Sequence, residues 1–248
     1  MIKLHWQFVF LATVVLYVLI ILTLPFSPIY ATLFLFTLIG FWSRLPGVGI
    51  YHPLWILYNM DLVDIFVLIM AVNGYVFEAV LASIFMNLYS RACGVFPVWG
   101  PVIHDAIAMS VVSLVISPIH VFLGSNILVT MAVFTILRAC IWPLFATFTY
   151  NVGIVRYVIE WVVSVITLLF INGVYVQFFG SFFSKLLDRG VAFSWPLFIF
   201  ATIVIALAYI LMYANSEKKP KLPKVFNKIA KPKHKQVTVE RKPMEKVY

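Results

Sequence analysis

The chain has 248 residues, 63% of them apolar and 11% charged, and a net charge of +9. A soluble domain carries about 25% charged residues to cover its outside, so this composition excludes a water-soluble globule and makes lipid the expected solvent. Stretches such as 8–24 and 161–171 are apolar on every face and do not alternate as barrel strands do. The expected fold is therefore all-α: a polytopic transmembrane helical bundle.

The first apolar run begins at Phe8, after Lys3, and continues to Leu24, where Pro25 and Pro28 follow in place of a small-residue cleavage site. It reads as a retained first span from Trp6 to Leu24. A second span is expected from Ile29 to Trp42. Arg44 to Met60 then reads as a re-entrant or amphipathic connector whose Tyr51, Trp55 and Tyr58 suit the headgroup level. Asp61 to Cys93 is too long for one upright span and short for two. Asn73-Gly74 marks a break, which predicts either two half-spans or one kinked, tilted helix. The remaining spans are Pro101 to Leu123, Ile127 to Phe148, Gly153 to Phe179 and Phe193 to Tyr213. The total is six to eight, and residues 1–215 form one transmembrane domain.

From Ser216 to Tyr248 the chain holds eleven Lys/Arg and three Glu, a net of +8 out of +9. With Pro220, Pro223, Pro232 and Pro243 among the lysines, residues 216–248 are expected to be a disordered tail. Its basicity places the C-terminus in the cytoplasm of a cell-membrane protein. Anionic lipid headgroups or an acidic partner are its expected contacts.

Several charges fall within the apolar windows, where each costs about 2.5–3.5 kcal/mol to insert. Glu78, Arg138, Arg156 and Glu160 lie inside spans, and Asp105 lies near the start of one. Arg156 and Glu160, spaced i, i+4, can pair on one helix face. Arg138 has no acidic residue within four positions, so its counter-charge must come from another helix, with Glu78 or Asp105 as the named choices. Asp61 and Asp64, spaced i, i+3, suit a helix start by capping and by the macrodipole, or else a cation or proton site.

His104 and His120 are sixteen residues apart on one predicted helix, about 24 Å along its axis, and cannot ligate one haem together. His52 stands next to Pro53 in the connector. Cys93 and Cys140 lack CxxC spacing and read as small packing residues. No nucleotide-binding, metallohydrolase or serine-hydrolase motif occurs in the sequence, so neither a cofactor nor a metal is expected and an enzyme is unsupported. The intramembrane charges and the Asn73-Gly74 break favour a transporter or channel-like protein for a small solute or ion. The alternative is a non-catalytic subunit that packs against other membrane subunits or a second copy. A haem-bearing electron-transfer subunit has the least support.

Overall fold

The computed structural model describes residues 5–49, 61–94, 99–149, 154–188 and 195–217. Among them the secondary structure is helical, without strands. The first two helices, α1 (Trp6–Thr23) and α2 (Pro28–Gly49), form a hairpin. Pro28 opens α2, a position where its fixed φ and missing N–H cost nothing. Helix α1 is apolar all round, so packing alone selects its inner face: Val9, Ala12, Leu16 and Ile20 are buried at helical spacing. Trp42 donates from Nε1 to Thr13 Oγ1 at 3.1 Å and ties the pair together.

Helix α2 runs past the predicted end at Trp42. Pro46 lies in its last turn, where a missing N–H removes one bond and leaves the preceding turns intact. The rest of the predicted connector, residues 50–60, lies outside the described residues, as does His52.

The segment from Asp61 to Cys93 is a helical hairpin, which removes the alternative of one kinked helix. Helix α3 (Val63–Val72) turns at Asn73-Gly74 into α4 (Val76–Ile84), which continues through a π-helical turn, π1 (Phe85–Tyr89), into α5 (Ser90–Ala92). Gly74 takes φ +90°, a conformation that side chains oppose. Both ends of the segment return to one end of the bundle. Asp61 meets Arg44 of α2 at 2.8 Å, and the Cys93 carbonyl accepts from the His5 amide at 2.9 Å.

Helix α3 is the centre of the molecule. It packs against α2, α4 and the helices that follow, and Val63 to Ala71 are all buried. Its ten residues extend about 15 Å, half of a typical hydrocarbon layer.

Around it stand α6 (Trp99–Phe122), α7 (Ile127–Thr149) and α8 (Ile154–Tyr175). Helix α8 passes through a second π-helical turn, π2 (Val176–Gly180), into α9 (Ser181–Asp188), beyond the predicted end at Phe179. Helix α10 (Trp195–Glu217) packs on α2. Among the described residues, four stretches are long and apolar enough to cross a membrane: Trp6–Thr23, Pro28–Pro46, Val102–Phe122 and Val165–Leu187. Shorter apolar helices occupy Val63–Val72, Ile127–Ile141 and Phe198–Ile210. These apolar helices are compatible with a membrane protein. The basic residues from Lys218 onward lie outside the described residues.

Helix contacts rely on large side chains. Phe183 of α9 sits among Phe36, Phe66, Phe179 and Phe200, with ring centroids 5.0–5.9 Å away. One glycine is the exception: a Cβ added at Gly40 of α2 would lie 2.2 Å from Met86 Sδ on π1. Met86 is fully buried and has little room to yield. Gly40→Ala is therefore expected to destabilise the protein by about 1–3 kcal/mol through overpacking, seen as a lower thermal unfolding midpoint in detergent. An unchanged midpoint would show that Met86 can move aside.

Candidate functional site

Five charged side chains from four parts of the bundle converge at the N-terminal end of α3. Asp105 of α6 is the hub. Its Oδ2 accepts from Arg44 Nη2 at 2.9 Å, and its Oδ1 accepts from Arg138 Nε at 3.0 Å and Nη2 at 2.6 Å. Arg44 also donates from Nη1 to Asp61 Oδ2 at 2.8 Å, and Arg138 from Nη1 to Asp64 Oδ1. Asp64 Oδ2 accepts from Asn172 Nδ2 of α8 at 2.9 Å, and the same amide donates to Thr135 Oγ1 of α7 at 3.0 Å.

Local sequence explains how each group arrives. Asp61 and Asp64 are one turn apart and share a face, as do Thr135 and Arg138 on α7. Asp61 Oδ1 accepts from the Val63 amide at 3.1 Å, and Ser43 Oγ accepts from the Leu62 amide at 3.0 Å. Two amides at the start of α3, those of Leu62 and Val63, are thus met by side chains, which satisfies part of what a buried helix end requires. Asp61 stands one residue before the N-cap, Leu62, so it bonds the first amide of α3 from outside the cap position expected from sequence, and it also forms an ion pair. Asp64 does not cap and is turned to Arg138 and Asn172.

The site is nearly closed to solvent: the paired side chains are between 2% and 11% exposed. Arg44 is among the largest fully buried side chains of the molecule. All six carboxylate oxygens accept a hydrogen bond. Three carboxylates nevertheless share two guanidiniums, so the five ionised groups sum to one excess negative charge. In a low-dielectric interior that excess is expensive and favours uptake of one proton or one monovalent cation. Among the described residues, no three His, Cys, Asp or Glu side chains are placed to hold a metal ion.

Of the residues singled out from sequence, the structure brings together Asp61, Asp64, Asp105 and Arg138. Glu78 does not join them: its Oε1 accepts from the Tyr30 hydroxyl at 3.4 Å, in an exposed position. Arg156 and Glu160 lie on α8, with their side chains outside the described residues. His104 is buried beside Asp105 in sequence, and His120 Nδ1 pairs with Thr130 Oγ1 at 2.7 Å across the α6–α7 turn. Cys93 is buried and Cys140 exposed, both as free thiols.

Sequence reasoning missed Arg44, Thr135 and Asn172. A signal for Arg44 existed, because Arg44, Arg91 and Arg138 stand at equal intervals along the chain. Neutral Thr135 and Asn172 carried none. No protein-family model matches this chain, and neither does any curated protein or solved structure.

Proposed function

We propose that the chain is an integral membrane protein that moves a small ion or an ion-coupled solute, with the Asp61–Arg44–Asp105–Arg138–Asp64 cluster as its coupling site. The observation that carries this reading is the odd carboxylate, buried at the end of a half-length central helix. Discontinuous helices and intramembrane charges are what solute pathways use, and a cluster short of one positive charge can load and release a proton or cation. Asp64 is the proposed carrier. Among the described residues its Oδ2 accepts from the neutral Asn172 amide alone, and an Asn side chain can turn either its NH2 or its carbonyl oxygen to a neighbour.

The test is a flux measurement on reconstituted protein. Liposomes loaded with a pH-sensitive dye and given a potassium diffusion potential, interior negative, are expected to acidify faster with the parent chain than without protein. Asp64→Asn balances the cluster at two carboxylates and two guanidiniums. It is expected to keep or raise thermal stability, since it relieves an uncompensated buried charge, and to reduce flux to the level of empty liposomes. Parent protein that moves neither protons nor sodium ions above that level would sink the coupling-site reading.

A second reading, a non-catalytic membrane-complex subunit, is favoured by the saturation of all six carboxylate oxygens. It expects Asp64→Asn to leave complex assembly unchanged. In either reading the basic tail is proposed to face the cytoplasm and to dock on anionic headgroups or an acidic partner.

A further inference from the structure

Arg44, Arg91 and Arg138 recur at equal spacing, and Arg91-Ala92-Cys93 is repeated as Arg138-Ala139-Cys140. Each arginine lies on the returning arm of a helical hairpin: α2, the α4–π1–α5 arm, and α7. Arg44 and Arg138 each hold two aspartates. Arg91, the middle member of the set, has no acidic side chain within 4.0 Å among the described residues. Among the described residues its Nε is buried without a hydrogen-bond partner, and so is Asn87 Oδ1, one turn earlier on the same arm.

Asn87 is fully buried, and its orientation is set from the other side of the amide. Its Nδ2 donates to the Ser83 carbonyl at 2.8 Å and lies 3.5 Å from Met109 Sδ. The orphaned atom is therefore the acceptor, held in place by a satisfied donor. Asn87 also belongs to π1, and single π-helical turns inside α-helices occur frequently at functional sites. Arg91 is itself partly exposed, which leaves a way in. A buried donor on a cation and a buried acceptor, one turn apart on the same arm, ask for one group that is anionic and also carries a hydroxyl. A bare carboxylate answers only the arginine, whereas a protonated phosphate answers both: its oxygens accept from the guanidinium fork, and its P–OH donates to Asn87 Oδ1.

We propose that Arg91 and Asn87 form a binding site for a phosphate group, which takes the place of the aspartates held by Arg44 and Arg138. The site is independent of the charge cluster at α3 and of the transport reading. Its source is either free phosphate, whose P–OH donates to Asn87, or the headgroup of a hydroxyl-bearing anionic phospholipid, whose phosphodiester has no P–OH and whose alcohol hydroxyl donates instead.

The test uses the full chain, purified and lipid-depleted in a neutral detergent, with thermal unfolding followed at matched ionic strength. The probes are inorganic phosphate, acetate and phosphatidylglycerol. Phosphate or phosphatidylglycerol is expected to raise the midpoint, with acetate weaker than either. A response to soluble phosphate assigns a free anion, and a response to phosphatidylglycerol alone assigns a headgroup. Arg91→Gln should weaken the response about tenfold or more, the loss expected for a charge-assisted pair. Asn87→Asp offers Arg91 a carboxylate from its own helix, so it should raise the midpoint without ligand and abolish the response. No midpoint shift with either phosphate probe, or an equal shift in Arg91→Gln and Asn87→Asp, overturns the proposal.

Discussion

Arg138→Leu is expected to cause the largest loss of folded, detergent-extractable protein of any single substitution at the charge cluster, about 3–5 kcal/mol. The substitution leaves Asp64, Asp105 and Asp61 to share Arg44 alone, so two negative charges remain uncompensated in a closed interior. Arg138 makes three of its hydrogen bonds to two aspartates on different helices, and all of those acceptors would be stranded together. Combining Arg138→Leu with Asp64→Asn, or with Asp105→Asn, should recover part of the loss, because each removes one of the stranded charges. Glu78→Gln should recover none, since Glu78 faces Tyr30 and not the cluster. Yield of monodisperse protein after extraction reads all four variants. Rescue by Glu78→Gln, or an Arg138→Leu chain as well folded as the parent, would refute the pairing.

Phe183→Ala should come next in magnitude, at about 3 kcal/mol, and through a different mechanism. Phe183 is fully buried and meets rings from α2, α3, π2 and α10. In water the cost of truncating such a side chain includes a transfer term, but between helices in lipid that term is small. What remains is the lost dispersion contact of a cavity that rigid neighbours cannot close, so the low end of the usual range applies. A drop in thermal unfolding midpoint is the expected result. A midpoint within a degree of the parent would mean that the surrounding phenylalanines collapse into the space.

The contrast between these two substitutions shows what was legible beforehand. That Arg138 needed an acid from another helix followed from its sequence neighbours alone, because no carboxylate stood within reach on its own helix. Asp105, one of the two acids named for it, does meet it, whereas Glu78 does not. The difference is one of azimuth and depth. Both acids are plausible by position along the chain, but α4 turns Glu78 outward while α6 turns Asp105 to the centre. Arg44 opens the predicted connector, beyond the expected end of the second span at Trp42, so nothing local marks it as buried. The helix instead continues to Gly49, which carries Arg44 inside.

The segment from Asp61 to Cys93 shows the same limit. Its length left two readings open, and the Asn73-Gly74 pair marked the break without deciding its angle. The decision came from contacts far away in sequence: Asp61 with Arg44, and His5 with Cys93.

By itself, then, the sequence determined the solvent-facing chemistry and the helical class of the fold. Too few charges to cover a soluble surface, and apolar runs without alternation, leave helices suited to lipid, because backbone groups in hydrocarbon must bond within their own segment. It also determined that buried charges had to be paired, since no other arrangement is affordable there. Only the tertiary structure decided which charges meet. Ion pairs such as Arg138 with Asp64, and hydrogen bonds from neutral groups such as Asn172 to Asp64, join residues many turns apart in the chain. Those partnerships depend on how each helix is rotated about its axis, which side-chain packing around α3 sets and no local pattern records.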